Sequence, residues 1–392
     1  MKLTTAAAGN GKLARTYSYY AAFIGLGLTT SALGPTLPNL AENTGTQIGD
    51  ISIIFSAISL GYILGAGPGG RLYDRLGGHT VMAAAIVVMV VAALLTPLAS
   101  LLWLLFIIMF AMGLGQSVVD VGANTLLVWT HRAGVGPYMN ALHFFFGVGA
   151  FVSPIIIAQI VLLTGGITWA YWALALLMLP PALWLLWLPS PAIRSANEDE
   201  DSKPINYPLA GLVSLFLLLY VGAEVSYGGW IYTYTITLKL APETTAAYLT
   251  SAFWGALTLG RLLSIPLALR FRPRTVLNGA LLGCLASAAL VIIGGHSLPV
   301  VAAATVGMGL FMAPVFPVTI SLAERRMAIT GQTTGWFFIG GSLGAMAVPW
   351  IIGQFFETAG PPAVMVIIAI TLLTQAAVYG ALLFQANRIQ KL

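Results

Sequence analysis

Three polar side chains sit four residues apart in the middle of a long apolar run: Gln116, Asp120 and Asn124. That spacing puts all three on one face of a helix. Asn140 and His143, three apart in the next apolar run, again share a face, and Glu224, Tyr227 and Trp230 repeat at helical spacing further on. Gln332 and Trp336 form a last pair, four apart. A carboxylate surrounded by apolar residues can be neutral or charged, so it can carry a proton or ligate sodium. Amides and imidazole both donate and accept, which suits hydroxyl-rich ligands. A carboxylate beside aromatic faces suits a sugar ring, although amides also join helices and aromatics also line lipid interfaces. Arg261 is the one basic residue inside an apolar run, able to pair with Glu224 or to snorkel toward an interface.

The elements that must carry these residues are membrane helices. Of 392 residues, 58% are hydrophobic and only 7% charged, against about 25% charged in a soluble domain. Runs of about 20 apolar residues predict twelve spans, roughly 16–41, 48–72, 79–98, 101–130, 135–163, 168–188, 207–238, 244–269, 275–294, 298–323, 330–356 and 361–386. Prolines inside them, such as Pro35, Pro38, Pro154, Pro314 and Pro349, predict kinks. The first segment is polar and weakly basic and leads into a run longer than a signal-peptide core, so no cleaved signal is expected.

Charge placement sets the orientation. Lys2, Lys12, Arg15, Arg71, Arg75, Arg132, Arg194, Lys203, Arg270, Arg272, Arg274, Arg325, Arg326, Arg388 and Lys391 fall on one side of an even-numbered set of spans, fifteen of the seventeen basic residues. The positive-inside rule then puts both termini in the cytoplasm, in a cell (inner) membrane. The net charge of +5 is therefore a topology signal, and nucleic-acid binding is excluded. Residues 189–206, with the acidic run Glu198–Asp201, read as a solvated cytoplasmic linker between an N-terminal bundle (1–188) and a C-terminal bundle (207–392). The lone Cys284 excludes an intrachain disulfide. No phosphate-binding Gly-Lys-Ser/Thr loop, no Cys/His metal cluster and no nucleophile triad is present, so neither ATP hydrolysis nor enzymatic catalysis is expected.

The two bundles repeat one another. Gly136, Gly149, Pro154 and Gln159 recur 195 positions later as Gly331, Gly344, Pro349 and Gln354. Met112-Gly113-Leu114 recurs as Met308-Gly309-Leu310, and Ala57–Gly61 resembles Ala256–Gly260. A common shift near half the chain length predicts two pseudo-symmetric six-helix halves.

Twelve spans, duplicated halves and a central loop resemble the major facilitator superfamily. The loop Gly70-Arg71-Leu72-Tyr73-Asp74-Arg75-Leu76-Gly77-Gly78-His79 is similar to that family's Gly-x-Leu-x-Asp-Arg-x-Gly-Arg-Arg signature, departing from it at Gly78 and His79. The resemblance implies a cytoplasmic gating role for Asp74 and Arg75, with Arg132 as a partner. Gly113-Leu114-Gly115 followed by Asp120-Val-Gly-Ala-Asn124, and Asn140-Ala-Leu-His143 followed by Phe-Gly-x-Gly-Ala, resemble the branch of fucose–proton symporters and sodium-dependent glucose transporters. By that resemblance Asp120 matches the protonatable acid of the fourth span and His143 replaces a sugar-contacting Gln. The acid that fucose symporters carry in the first span is missing between Tyr17 and Leu40, which leaves proton coupling, sodium coupling and uniport open.

The expectation is an all-α integral membrane protein that moves a monosaccharide such as glucose by alternating access. Asp120 and Glu224 would couple H+ or Na+. Gln116, Asn124, Asn140, His143, Glu224, Tyr227, Trp230, Gln332 and Trp336 would contact the sugar. No cofactor beyond the ion and no resident metal is expected, and the chain would act as a monomer in the lipid bilayer. The alternative reading is a multidrug or lipophile exporter driven by proton antiport, in which the two acids would meet cationic drugs.

Overall fold

The computed structural model describes residues 2–192, 206–325, 327 and 331–389. These fold into fourteen α-helices with two short 3-10 turns and no strand among them. In chain order they are α1 (Lys2–Thr44), α2 (Ile48–Ile51), α3 (Ile53–Tyr73), α4 (Gly78–Leu95), α5 (Leu102–His131), α6 (Gly136–Thr164), α7 (Thr168–Trp187), α8 (Tyr207–Thr237), α9 (Glu243–Arg270), α10 (Pro273–Gly294), α11 (Leu298–Met312), α12 (Val315–Glu324), α13 (Gly331–Ala359) and α14 (Pro362–Ile389). Taking α2 with α3 and α11 with α12, they match the twelve expected spans. Ten of these spans are long and apolar enough to cross a membrane. The others, α1 and α9, are long but diluted by Thr29, Thr30, Ser31 and Thr36, and by Thr250, Ser251 and Arg261. In α1 the hydroxyls bond back to carbonyls of the preceding turn, as Thr36 does to Ala32 O at 2.9 Å. The helix runs on through Pro35 and Pro38, and α6 and α13 run on through Pro154 and Pro349. At Ala313-Pro314, between α11 and α12, a proline coincides with a break, as Pro97 does in the 3-10 turn that follows α4.

The chain separates into two compact units, residues 1–46 with 60–197 and residues 47–59 with 198–392. In the first, α1 crosses α6 at two glycines: a Cβ on Gly27 would run into the Phe146 carbonyl, and one on Gly149 into the carbonyl of Ile24. In the second, α8 crosses α13 in the same way, with Gly222 against Gly344 O and Gly344 against Leu218 O. Gly27 and Gly222, like Gly149 and Gly344, are 195 residues apart. The repeat read from the sequence is thus a repeat of backbone-to-backbone helix crossings, the geometry that small residues permit in lipid. The helix ends repeat as well. Gly165 (φ 76) closes α6 with its N–H on Val161 O, and Gly360 (φ 74) closes α13 with its N–H on Phe356 O.

Grouping by contacts departs from the expected boundary in one segment. Residues 47–59 pack with α13 rather than with the first bundle: Gly49 N–H donates to Glu357 Oε1 (3.2 Å), Gln354 Nε2 to Gly49 O (3.1 Å) and Ser56 Oγ to Met346 O (3.2 Å). The acidic run Glu198–Asp201 and most of the expected linker lie outside the described residues.

Candidate functional site

In the first unit the polar face of α5 is brought against α1 and α3. A stripe of glycines on α3 sets the second contact. A Cβ on Gly61 would meet the Phe110 carbonyl, one on Gly65 would come within 3.0 Å of Leu114 O, and one on Gly69 within 3.3 Å of Val118 Cγ2. The Tyr73 hydroxyl, lodged against Gly122, donates to Val118 O at 2.9 Å and ties the C-terminal end of α3 into the same contact.

Asp120 is the centre of this face. Its Oδ1 accepts from Asn124 Nδ2 (2.8 Å), which also reaches the Asp120 carbonyl (2.8 Å), and its Oδ2 accepts from the Tyr62 hydroxyl of α3. Among the described residues the structure records no ion pair that includes Asp120, and both of its oxygens accept from neutral donors, so an ionised Asp120 is hydrogen-bonded without a compensating charge. One turn earlier Gln116 is buried and donates through Nε2 to Thr29 Oγ1 of α1 at 3.0 Å. Gln116, Asp120 and Asn124 therefore share a face as expected, and the first and last of them have partners. Asn140 and His143 are exposed on α6, and the His143 ring meets Phe23 edge-on at 5.7 Å. Asp120 is paired with Tyr62 and Asn124.

In the second unit the buried acid is compensated. Arg261 Nη2 of α9 lies 3.7 Å from Glu224 Oε1 of α8. Tyr227, a turn along, donates to or accepts from Thr305 Oγ1 (2.9 Å), and its ring lies 5.0 Å from that of Phe253. Trp230 lies between Phe55 (6.3 Å) and Phe356 (5.3 Å). Both rings are fully buried, so in this structure their faces are in contact with protein aromatics. Trp336 is half-buried beside Tyr207 at 5.8 Å. The Gln332 side chain lies outside the described residues.

Asp74, Arg75 and Arg132 are exposed, and no ion pair joins Asp74 to Arg132 among the described residues. His79, standing where the signature motif has a basic residue, is instead buried. Its two ring nitrogens are 2.8 Å from the Tyr19 hydroxyl and from Leu188 O, and its backbone N–H donates to Ser190 Oγ. With Leu188 O able only to accept, Nδ1 carries the proton and Tyr19 donates to Nε2. The described residues contain no group of three or more His, Cys, Asp or Glu side chains able to hold a metal ion.

Tyr62 and Thr29, which fix the two ends of the α5 face, escaped the sequence reading. The glycine stripe at positions 61, 65 and 69 is the signal that shows which face of α3 abuts another helix.

A family profile described as Major Facilitator Superfamily matches residues 19–349. The Mus musculus sodium-dependent glucose transporter 1A is 31% identical over 85% of this chain and 88% of its own length. The Danio rerio sodium-dependent glucose transporter 1 is 31% identical over 85% of the chain, which spans 63% of that relative's length. Among solved structures, the nucleoside transporter NupG aligns with a TM-score of 0.78 at 14% identity, covering 95% of this chain and 99% of its own. A bacterial homologue of the human lysosomal transporter Spinster aligns at 0.74 and 14%, covering 96% of each chain.

Proposed function

Because the chain belongs to the Major Facilitator Superfamily, a family of multi-pass membrane transporters, we propose that it carries a monosaccharide, a hexose such as glucose, by alternating access. A cation, H+ or Na+, couples to the sugar at Asp120. The observation that carries this reading is the state of that carboxylate: set in an apolar helix, hydrogen-bonded by Tyr62 and Asn124, and without a compensating charge. Such a group gains most from a proton or a small monovalent cation, because either one removes the uncompensated charge. Gln116 and Asn124 on the same face, and Asn140 and His143 on α6, supply donors and acceptors for sugar hydroxyls. The names of the glucose-transporting relatives support the substrate class. The branch motif on α5 and α6 supports it from within the chain.

Glu224 enters this reading as a sugar contact rather than as a second coupling site, since Arg261 already balances its charge. The same pairing weighs against export of cationic lipophiles, which would draw on an uncompensated acid. Both termini are cytoplasmic in this reading, the membrane is the cell (inner) membrane, and the chain works as a monomer with no cofactor beyond the ion. Asp74, Arg75 and Arg132 gate the cytoplasmic side.

The test is a melting-temperature panel of the purified protein against hexoses, nucleosides and cationic dyes. A ligand at about 100 times its Kd adds about 2.7 kcal/mol of stability. A shift with hexoses alone supports the reading; a shift with nucleosides or dyes and none with hexoses overturns it.

A further inference from the structure

We propose that Tyr62 is the positioning residue of the coupling site: its hydroxyl holds the Asp120 carboxylate in the unloaded state and sets the cation concentration at which Asp120 loads. This rests on the reading of Asp120 as the cation site. Of the two donors on that carboxylate, Asn124 belongs to α5 itself and moves with Asp120, so its bond is local. Tyr62 comes from α3, and its bond to Oδ2 is the one through which a second helix senses the charge on Asp120.

The chemistry at Oδ2 follows from the donor. While the phenol O–H points at this oxygen, it fills one of the lone-pair sites there and draws off electron density, so the carboxylate holds an arriving proton or sodium ion less tightly. A proton that takes the same site displaces the phenol O–H, which turns so that its oxygen accepts from the new carboxylic O–H. A sodium ion at that site is met by the same turn, which presents the phenol oxygen to the ion. In both cases Tyr62 favours the empty, charged carboxylate and competes with the cation. A hydrogen bond to a charged group is strong enough that removing it changes the loading equilibrium by about tenfold or more.

The hydroxyl is not what keeps α3 in place. Gly61, Gly65 and Gly69 already bring the α3 and α5 backbones together, and Tyr73 bonds Val118 O further along the contact. Loss of the Tyr62 hydroxyl alone therefore leaves the helix docked.

The experiment measures labelled-glucose uptake into proteoliposomes across a series of pH values without sodium, and across a series of sodium concentrations at fixed pH. It compares wild type, Tyr62→Phe, Asp120→Asn and the double variant, with sugar exchange and melting temperature recorded for each. Tyr62→Phe is expected to reach half-maximal uptake at a roughly tenfold lower concentration of whichever cation drives it, with the exchange KM and melting temperature unchanged. In the Asp120→Asn background the Tyr62 change is expected to have no effect. A second variant carries 3,5-difluorotyrosine at position 62. Its more acidic phenol donates more strongly and is expected to move the midpoint the other way, which keeps the test open if the Phe variant folds poorly. An unmoved midpoint in both Tyr62 variants, with wild type cation-driven and Asp120→Asn uncoupled, overturns the role of Tyr62 alone. A wild type indifferent to both cations, or an Asp120→Asn variant still driven by one, overturns the reading of Asp120 and this inference with it.

Discussion

Two acids set in apolar helices, Asp120 and Glu224, look equivalent in the sequence, and their neighbours make them different. Glu224 has a cation 3.7 Å away on α9, whereas Asp120 has two neutral donors. The difference predicts opposite responses to neutralisation. Glu224→Gln leaves the Arg261 guanidinium with its charge unmatched in the bundle, and the melting temperature is expected to fall. Arg261 keeps partial exposure, so the loss is expected below the roughly 3–5 kcal/mol of a fully buried pair. The double change Glu224→Gln with Arg261→Gln is expected to recover much of that loss. Asp120→Asn, by contrast, removes an unpaired charge and is expected to melt at or above the wild-type temperature. Thermal melts of the four proteins in one detergent check this, and a Glu224→Gln melt equal to wild type would show that the pair contributes nothing. The polar triad on α5 was legible in the sequence because its period is that of a helix. Tyr62 was not, because its partner is 58 residues away and a single tyrosine in an apolar run carries no period. The pairing of Glu224 with Arg261 could be named as an option but not chosen, since nothing in one dimension distinguishes a paired arginine from a snorkelling one.

At the scale of elements, the helices are held by glycines at a few crossing points rather than by a graded hydrophobic effect, since lipid is as apolar as the helix faces. The prediction is positional. Gly149→Leu and Gly344→Leu each drive a side chain into the carbonyl of a facing helix, and each is expected to destabilise by at least about 1–3 kcal/mol. Gly211→Leu and Gly279→Leu, where a Cβ meets nothing within 4 Å, are expected to be tolerated. Folded yield by size-exclusion profile and melting temperature would separate the pairs, and equal tolerance at all four positions would refute close crossing as the cause. Gly149 and Gly344 stood out beforehand because Pro154/Pro349 and Gln159/Gln354 share their shift. Their crossing partners Gly27 and Gly222 share the shift too, but Ile-Gly-Leu-Gly-Leu and Leu-Tyr-Val-Gly-Ala around them have little else in common. The grouping of residues 47–59 with α13 was hidden for another reason. It rests on contacts such as Gly49 with Glu357, 308 residues apart, and hydropathy reports that a segment is in the membrane without saying against what.

For the whole molecule, the charge pattern predicts one orientation, and the chain supplies its own silent background for testing it. Cys284 is the single cysteine and is buried, so a membrane-impermeant thiol reagent reads only an introduced cysteine. Arg272→Cys, in the expected cytoplasmic loop before α10, is expected to label only after the cells are opened. His296→Cys, in the expected external loop after α10, is expected to label in intact cells. The reverse pattern would invert the orientation. The claim on which the function rests is that Asp120 couples a cation gradient to sugar movement. It is tested by labelled-glucose accumulation in proteoliposomes under separately imposed proton and sodium gradients, with wild type and Asp120→Asn side by side. The account predicts that one gradient drives accumulation in the wild type, and that Asp120→Asn abolishes accumulation while sugar exchange survives. Accumulation by Asp120→Asn equal to wild type under the same gradient would contradict it.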